Sequence, residues 1–269
     1  MRRLIIAFAL AAAVMAPVAA GAGPSSQAVT TAQHDCTLLK ARMGATAFGQ
    51  AYSSFGKCVS AYAPVEQNNI TAAQSLCSAE QSDTTFASTH GGKTFDQFYG
   101  TGKAGKNAFG KCVSAKTQAS TQAEQQGRLN PSQTCRAERL ANATAFTNTY
   151  GKNTNKRNAF GKCVSMKAKA QSTAELAATT SCKTEADDTG FAANHDGKTF
   201  AQFYGTNDND SNAFGKCTSQ KARATVAEQE QATISAMKAC QAELNAGESA
   251  FMQKYGTFGH CVSLKASAK

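Results

Sequence analysis

The chain has 269 residues, with 28 Lys or Arg against 18 Asp or Glu, a formal net charge of +10, ten cysteines and no tryptophan. No two cysteines form a C-x-x-C. That excludes zinc-knuckle, dithiol-redox and haem-attachment motifs, which need two sulfurs within one turn or loop. Beyond residue 23 no apolar run approaches the roughly 20 residues that span a bilayer.

The first predicted element is a leader. In MRRLIIAFALAAAVMAPVAAGAG, Arg2 and Arg3 precede an apolar run from Leu4 to Met15, and Val18-Ala19-Ala20 supplies small residues for cleavage after Ala20 or Ala22. This is the secretory pattern, expected to occupy 1–22, and the run is too short for an ordinary spanning helix. The arginine pair lacks the surroundings of a twin-arginine signal, so general secretion is the reading. Export places the ten cysteines in an oxidising compartment, where disulfides persist.

The rest is a repeat. NAFGKCVS at 107–114 returns at 158–165 and, as NAFGKCTS, at 212–219; shorter forms are SFGKCVS at 54–60 and TFGHCVS at 257–263. An earlier cysteine accompanies each phrase, giving Cys36/Cys58, Cys77/Cys112, Cys135/Cys163, Cys182/Cys217 and Cys240/Cys261. Glu stands three residues after four of the leading cysteines (CSAE, CRAE, CKTE, CQAE), and the first unit departs with CTLL. A Phe (48, 86, 146, 191, 251) and a Tyr (52, 99, 150, 204, 255) follow. Self-similarity of this length marks an array built by duplication. The expected organisation is repeat 1 at 23–66, repeat 2 at 67–126, repeat 3 at 127–175, repeat 4 at 176–229 and repeat 5 at 230–269.

The fold class predicted is all-α, an elongated array of five disulfide-stapled helical modules. Ala, Gln, Lys and Glu dominate between the phrases. Asn107, Asn158 and Asn212 stand where an N-cap belongs. Gly110, Gly161 and Gly215 in the first turn each cost up to ~1 kcal/mol against Ala, which suggests a close backbone neighbour. Helicity selects the pairing: Cys163 and Cys182 on one unbroken helix would be ~28 Å apart, whereas a disulfide needs Cα atoms within about 7 Å. The segments 63–69 and 127–133, with Pro or Gly, are expected to break the helix; the links after Cys163 and Cys217 can run on as shared helices.

All phenylalanines but Phe8 occupy repeat slots, and so small a module needs its aromatic area for its core. The insertions of repeats 2 and 4, HGGKTFDQFYG and HDGKTFAQFYG, carry Phe95, Phe98, Phe200 and Phe203, whose exposure would instead indicate a binding patch. The phrase, with Cys-x-x-Glu upstream and Phe-x-x-x-Tyr-Gly between, resembles repeats of secreted proteins of high-GC Gram-positive bacteria that have no assigned activity. The resemblance covers nearly all of the chain after the leader. It implies export and modularity, and carries over no catalytic residues.

Candidate chemistry is sparse. GGKT (91–94) and DGKT (196–199) lack the leading Gly of a phosphate loop, with Ala87 and Ala192 in its place, and read as capped turns opening at Thr94 and Thr199. NDNDSN (207–212), begun at Asp208, has Ala213 and Ser219 where a calcium loop needs Gly and Glu. His90 and His195 sit at equivalent positions that suit a helix C-terminus. No enzyme, metal or cofactor is expected. Without Arg2 and Arg3 the chain keeps 26 basic and 18 acidic residues, a net +8. Lys57, Lys111, Lys162 and Lys216 recur beside the staples, with further cations in VSAK, VSMKAK and TSQKAR. They could form a basic row for an anionic envelope polymer. The expected function is that of a secreted, non-enzymatic structural or interaction protein; the alternative is a binder or inhibitor of a specific protein or anionic polymer through the two insertions. Another secreted protein is the second candidate partner. Nucleic acid is not expected, for want of a motif and because of export.

Overall fold

The computed structural model describes residues 23–101, 105–207 and 209–267. The expected leader at 1–22 and Asp208 of the polar loop lie outside the described residues. These form fourteen α-helices and no strand. They are α1 Ser26–Met43, α2 Ala45–Tyr52, α3 Phe55–Ser82, α4 Phe86–Thr89, α5 Phe95–Tyr99, α6 Ala108–Gly127 and α7 Pro131–Ala141; then α8 Ala143–Tyr150, α9 Ala159–Ala186, α10 Phe191–Asn194, α11 Phe200–Tyr204, α12 Ala213–Ala246, α13 Glu248–Tyr255 and α14 Phe258–Ser267. The protein is all-α, and no helix among the described residues is long and apolar enough to cross a membrane.

All ten cysteines pair as the helix-length argument requires: Cys36–Cys58, Cys77–Cys112, Cys135–Cys163, Cys182–Cys217 and Cys240–Cys261. The closed loops of 21 to 35 residues each contribute about 3–4 kcal/mol in the chain-entropy model. Five disulfides with no free cysteine point to an oxidising, extracellular environment.

Local chemistry sets most helix ends. Thr94 and Thr199 open α5 and α11 in full capping boxes with Gln97 and Gln202, so GGKT and DGKT are capped turns. Asn130 caps α7, whose first residue is Pro131, the position where a missing N–H costs nothing. Two sequence expectations fail here. Asn107, Asn158 and Asn212 precede their helices but make no side-chain cap. Their Oδ1 atoms instead accept from the backbone N–H of Thr101, Lys152 and Thr206, closing the loop before each helix. Nor does the chain break at 63–69: α3 runs through Pro64, which forfeits one backbone hydrogen bond and keeps Tyr62, Glu66 and Asn69 on one face.

The modules are not strung along a line. The second and fourth staples tie the end of one long helix to the start of the next, Cys77 of α3 to Cys112 of α6 and Cys182 of α9 to Cys217 of α12, and α3, α9 and α12 each carry cysteines of two successive repeats. α3 packs on α6 and α9, and α12 packs on the same two, so the four form a ring with α3 opposite α12. Repeats 1, 3 and 5 pool their side chains in one core that contains Cys36, Cys135 and Cys240, with Phe48, Phe146 and Phe251. Repeats 2 and 4 keep separate cores around Phe86 and Phe191. The odd staples therefore gather at one end of the ring and the even staples at the other, and the chain shuttles between them. The expectation that a module touches mainly its sequence neighbours is overturned by the shared odd core; the cause is the continuity of the long helices, which carries alternate modules back together.

Gly215 shows how close the helices come. A Cβ there would lie 2.3 Å from the Ser120 carbonyl oxygen, whereas one at Gly110, the same slot in repeat 2, meets nothing within 4 Å. Gly215→Ala is expected to destabilise by at least about 1–3 kcal/mol through overpacking. Gly110→Ala should be neutral or stabilise by up to ~1 kcal/mol. Equal denaturation midpoints for the two variants would contradict the α6–α12 contact. An oxidised fragment of residues 131–178 holds both cysteines, Phe146, Tyr150 and Phe160 of repeat 3 but loses the repeat 1 and 5 side of its core. It should show little helix by circular dichroism; a well-folded fragment would restore module autonomy.

Candidate functional site

The four phrase lysines do not make one row. Lys57 and Lys162 open α3 and α9 at the odd end, while Lys111 and Lys216 open α6 and α12 at the even end. Lys57, Lys111 and Lys162 are exposed and Lys216 is half-buried. Among the described residues none of them meets an acidic side chain within 4.0 Å.

A second lysine set, four residues after each second cysteine, points inward. Lys116 pairs with Glu80 at 2.8 Å, Lys167 with Glu138, Lys221 with Glu185 at 2.8 Å and Lys265 with Glu243 at 2.7 Å. These glutamates are the ones of the Cys-x-x-Glu motif. Each also accepts a hydrogen bond from its repeat's tyrosine: Tyr99, Tyr150, Tyr204 and Tyr255, at 2.8–2.9 Å. Every staple from repeat 2 onward thus carries a Glu–Tyr–Lys triad. Burial raises the Tyr204 phenol to about 12, so it donates and stays neutral. The Lys265 hydrogen bond lowers Glu243 to about 2. VSAK, VSMKAK and TSQKAR, read as surface cations, hold these triad lysines.

Repeat 1 departs, and the departure locates the main polar feature. Leu39 replaces the glutamate and Tyr62 the lysine, and Tyr62 touches Tyr52 hydroxyl to hydroxyl at 3.2 Å. Over the Tyr62 ring, 4.2 Å from its centroid, lies Arg128. Its guanidinium donates from Nη1 to both oxygens of Asp35, at 2.7 and 2.6 Å, and from Nε to both oxygens of Glu175, at 2.7 and 2.8 Å. Gln125 donates to Asp35 and Gln171 to Glu175. Beside them Asn69 donates to Glu66 at 3.3 Å and Glu124 at 3.1 Å, and Thr121 donates to Glu66 at 2.7 Å. Asp35, Glu66, Asn69, Glu124, Arg128 and Glu175 are all fully or nearly fully buried. Arg42 borders the cluster, donating to the backbone carbonyls of Gln125 and Arg128.

Four carboxyls around one guanidinium cannot all be charged in a dry core, because each unpaired ion would cost several kcal/mol. Glu66 Oε1, Glu124 Oε1 and Asn69 Oδ1 have no donor among the described residues, a deficit that carboxyl protons make up. Burial pushes Glu66 to about 7 and Glu124 well above the usual carboxylate range. It also raises Glu175, against the pull of Arg128. Perturbed carboxyls are the mark of many active sites. Here the space beside Arg128, Tyr52 and Tyr62 measures about 10 Å³, room for one water at most, and the cluster ties α1, α3, α6 and α9 together. Among the described residues no group of His, Cys, Asp and Glu has the arrangement to hold a metal ion.

His90 and His195 end α4 and α10 as expected. Each ring stacks on Phe86 or Phe191 at 3.7 Å, with Nδ1 within 2.9 Å of that residue's carbonyl oxygen. The phenylalanines are mostly core, but Phe203 is 46% exposed and Phe55 38%. Comparison with protein-family models, with curated proteins and with solved structures finds nothing similar to this chain.

The proton store sets a pH dependence. Glu66 binds its proton more tightly when folded, so its contribution is full below the unfolded value near 4.5 and is lost as pH rises to about 7. The loss is of order 3 kcal/mol. Glu243, depressed by Lys265, acts oppositely, and its contribution is lost as pH falls towards about 2. The melting temperature should therefore peak at mildly acid pH and fall towards neutrality, and Glu66→Gln should flatten that fall. Stability that rises between pH 5 and 7 would show the cluster fully ionised.

Proposed function

We propose that the protein is a secreted, non-catalytic interaction protein whose cross-linked helical scaffold presents basic side chains to an anionic polymer of the cell envelope. The observation that carries this reading is the division of labour between two sets of lysines, those before the second cysteine of repeats 1 to 4 and those four residues after it in repeats 2 to 5. The inner lysines are neutralised by the staple glutamates, while Lys57, Lys111 and Lys162 face solvent without an acid. The enclosure of the perturbed carboxyls supports a binding role over catalysis. Export fits the five disulfides, and the resemblance of the phrase to repeats of secreted proteins agrees with it.

The variant K57Q/K111Q/K162Q should keep the wild-type melting temperature, because exposed charges contribute roughly 0–1 kcal/mol. It should bind a long polyanion several-fold more weakly, with a shallower dependence on salt. Unchanged polymer affinity in calorimetric titrations would refute the reading.

A second reading, a specific binder acting through the insertions, is favoured by one observation in repeat 4 only. Phe98 and Phe203 pack alike on the Phe and His of their insertions, but in repeat 2 Phe98 is half-buried. In repeat 4, Phe203 stays exposed beside Lys216.

A further inference from the structure

Helices α6, α11 and α12 enclose a groove of about 550 Å³, within the roughly 300–1,000 Å³ range of ligand sites. Its floor exists because α6 packs closely on the side chains of α12: a Cβ on Gly127 would sit 1.6 Å from Ser219 Oγ. One wall is the exposed ring of Phe203, held edge-on by His195 at 4.6 Å and Tyr204 at 4.8 Å. Lys216 and Arg223 line it from α12. Seven residues apart, they share one helical face, and neither has an acidic partner within 4.0 Å among the described residues. Gln126, Ser219 and Gln220 add neutral hydrogen-bonding groups, and no acidic residue is among those lining the groove.

We infer that this groove is a binding site for a carboxylate-bearing sugar chain, a polyuronate. The inference rests on the reading of the protein as a binder of anionic polymers and gives it a site. An open aromatic face attracts the weakly positive C–H face of a pyranose ring through its quadrupole. The guanidinium fork of Arg223 matches a carboxylate with two parallel hydrogen bonds, and Lys216 adds a point charge. Amide and hydroxyl groups between the cations suit sugar hydroxyls, as donors and acceptors at once. A glycerol-phosphate chain has the charge but no flat face for Phe203. The equivalent place in repeat 2 lacks the set: Phe98 is half-buried, and Gln118 stands where repeat 4 has Arg223.

The test is calorimetric titration of the exported, oxidised chain with a short oligogalacturonate, an uncharged oligogalactose of equal length and a poly(glycerol phosphate). Oligogalacturonate should bind, and the neutral sugar should not. Phe203→Ala and Arg223→Gln should each weaken binding about tenfold with melting temperatures unchanged, while K57Q/K111Q/K162Q should bind the short oligomer like the wild type. Groove variants that bind normally while the lysine variant loses long polymers would overturn the groove and leave the surface reading standing. Preference for poly(glycerol phosphate), or equal binding of the neutral sugar, overturns the carboxylate assignment. Binding of none of the three, with long polyanions also ignored, overturns both readings.

Discussion

One guanidinium ties α1, α3 and α9 to the end of α6. Arg128 follows α6, yet its two forks grip Asp35 of α1 and Glu175 of α9, and its face lies on Tyr62 of α3. Removing either partner would leave a buried charge uncompensated, at about 3–5 kcal/mol. The irregularity of repeat 1 follows from this. A glutamate and lysine at positions 39 and 62 would set a second ion pair beside Arg128 and disturb its balance with Asp35 and Glu175. Leucine and tyrosine there give the guanidinium an apolar wall and an aromatic face instead. The repeat that breaks the pattern is the one that houses the cluster.

The staples are the turns of the ring. Cys77–Cys112 joins the end of α3 to the start of α6, Cys135–Cys163 the segment after α6 to α9, and Cys182–Cys217 the end of α9 to the start of α12. A Glu–Tyr–Lys triad seals each of these turns, so covalent and polar constraints act on the same few residues. Because α3, α9 and α12 each carry cysteines of two successive repeats, repeats 1, 3 and 5 fold back on one another, and stability is shared across repeats that are far apart in sequence.

What could be read from the sequence was local. Disulfide pairing followed from helix length, the capped turns from Thr94 and Thr199 ahead of the Phe-rich segments, and the histidine caps from their equivalent positions. What could not be read depends on which repeats meet. Asp35, Glu66 and Arg128 occur once each at their register, so no repetition flagged them. Glu124 and Glu175 did carry a signal, both standing twelve residues after the phrase cysteine. Their partner was invisible until α6 and α9 converged. The triad lysines were in view, but four-residue spacing from a cysteine says nothing about a glutamate across the staple. Pro64 misled because a buried face of α3 outweighs one lost hydrogen bond, and the asparagines misled because loop closure competes for the same oxygen. Phe203 has the same sequence surroundings as Phe98, and only the approach of α6 gives it a groove.

The buried cluster and the basic surface are two sides of one charge distribution. A formal count treats every acid as ionised, yet Glu66 and Glu124 keep their protons in the core at mildly acid pH. Four further glutamates are neutralised by the triad lysines. The triad pairs cancel within themselves, and the protonated carboxyls alone make the protein more positive at mildly acid pH than the formal count. A polyanion approaching the odd end meets Lys57 and Lys162; one approaching the even end meets Lys111, Lys216 and Arg223. Packing that keeps the protonated carboxyls inside leaves Lys57, Lys111 and Lys162, where the repeated phrase begins each helix, exposed and without an acidic partner among the described residues.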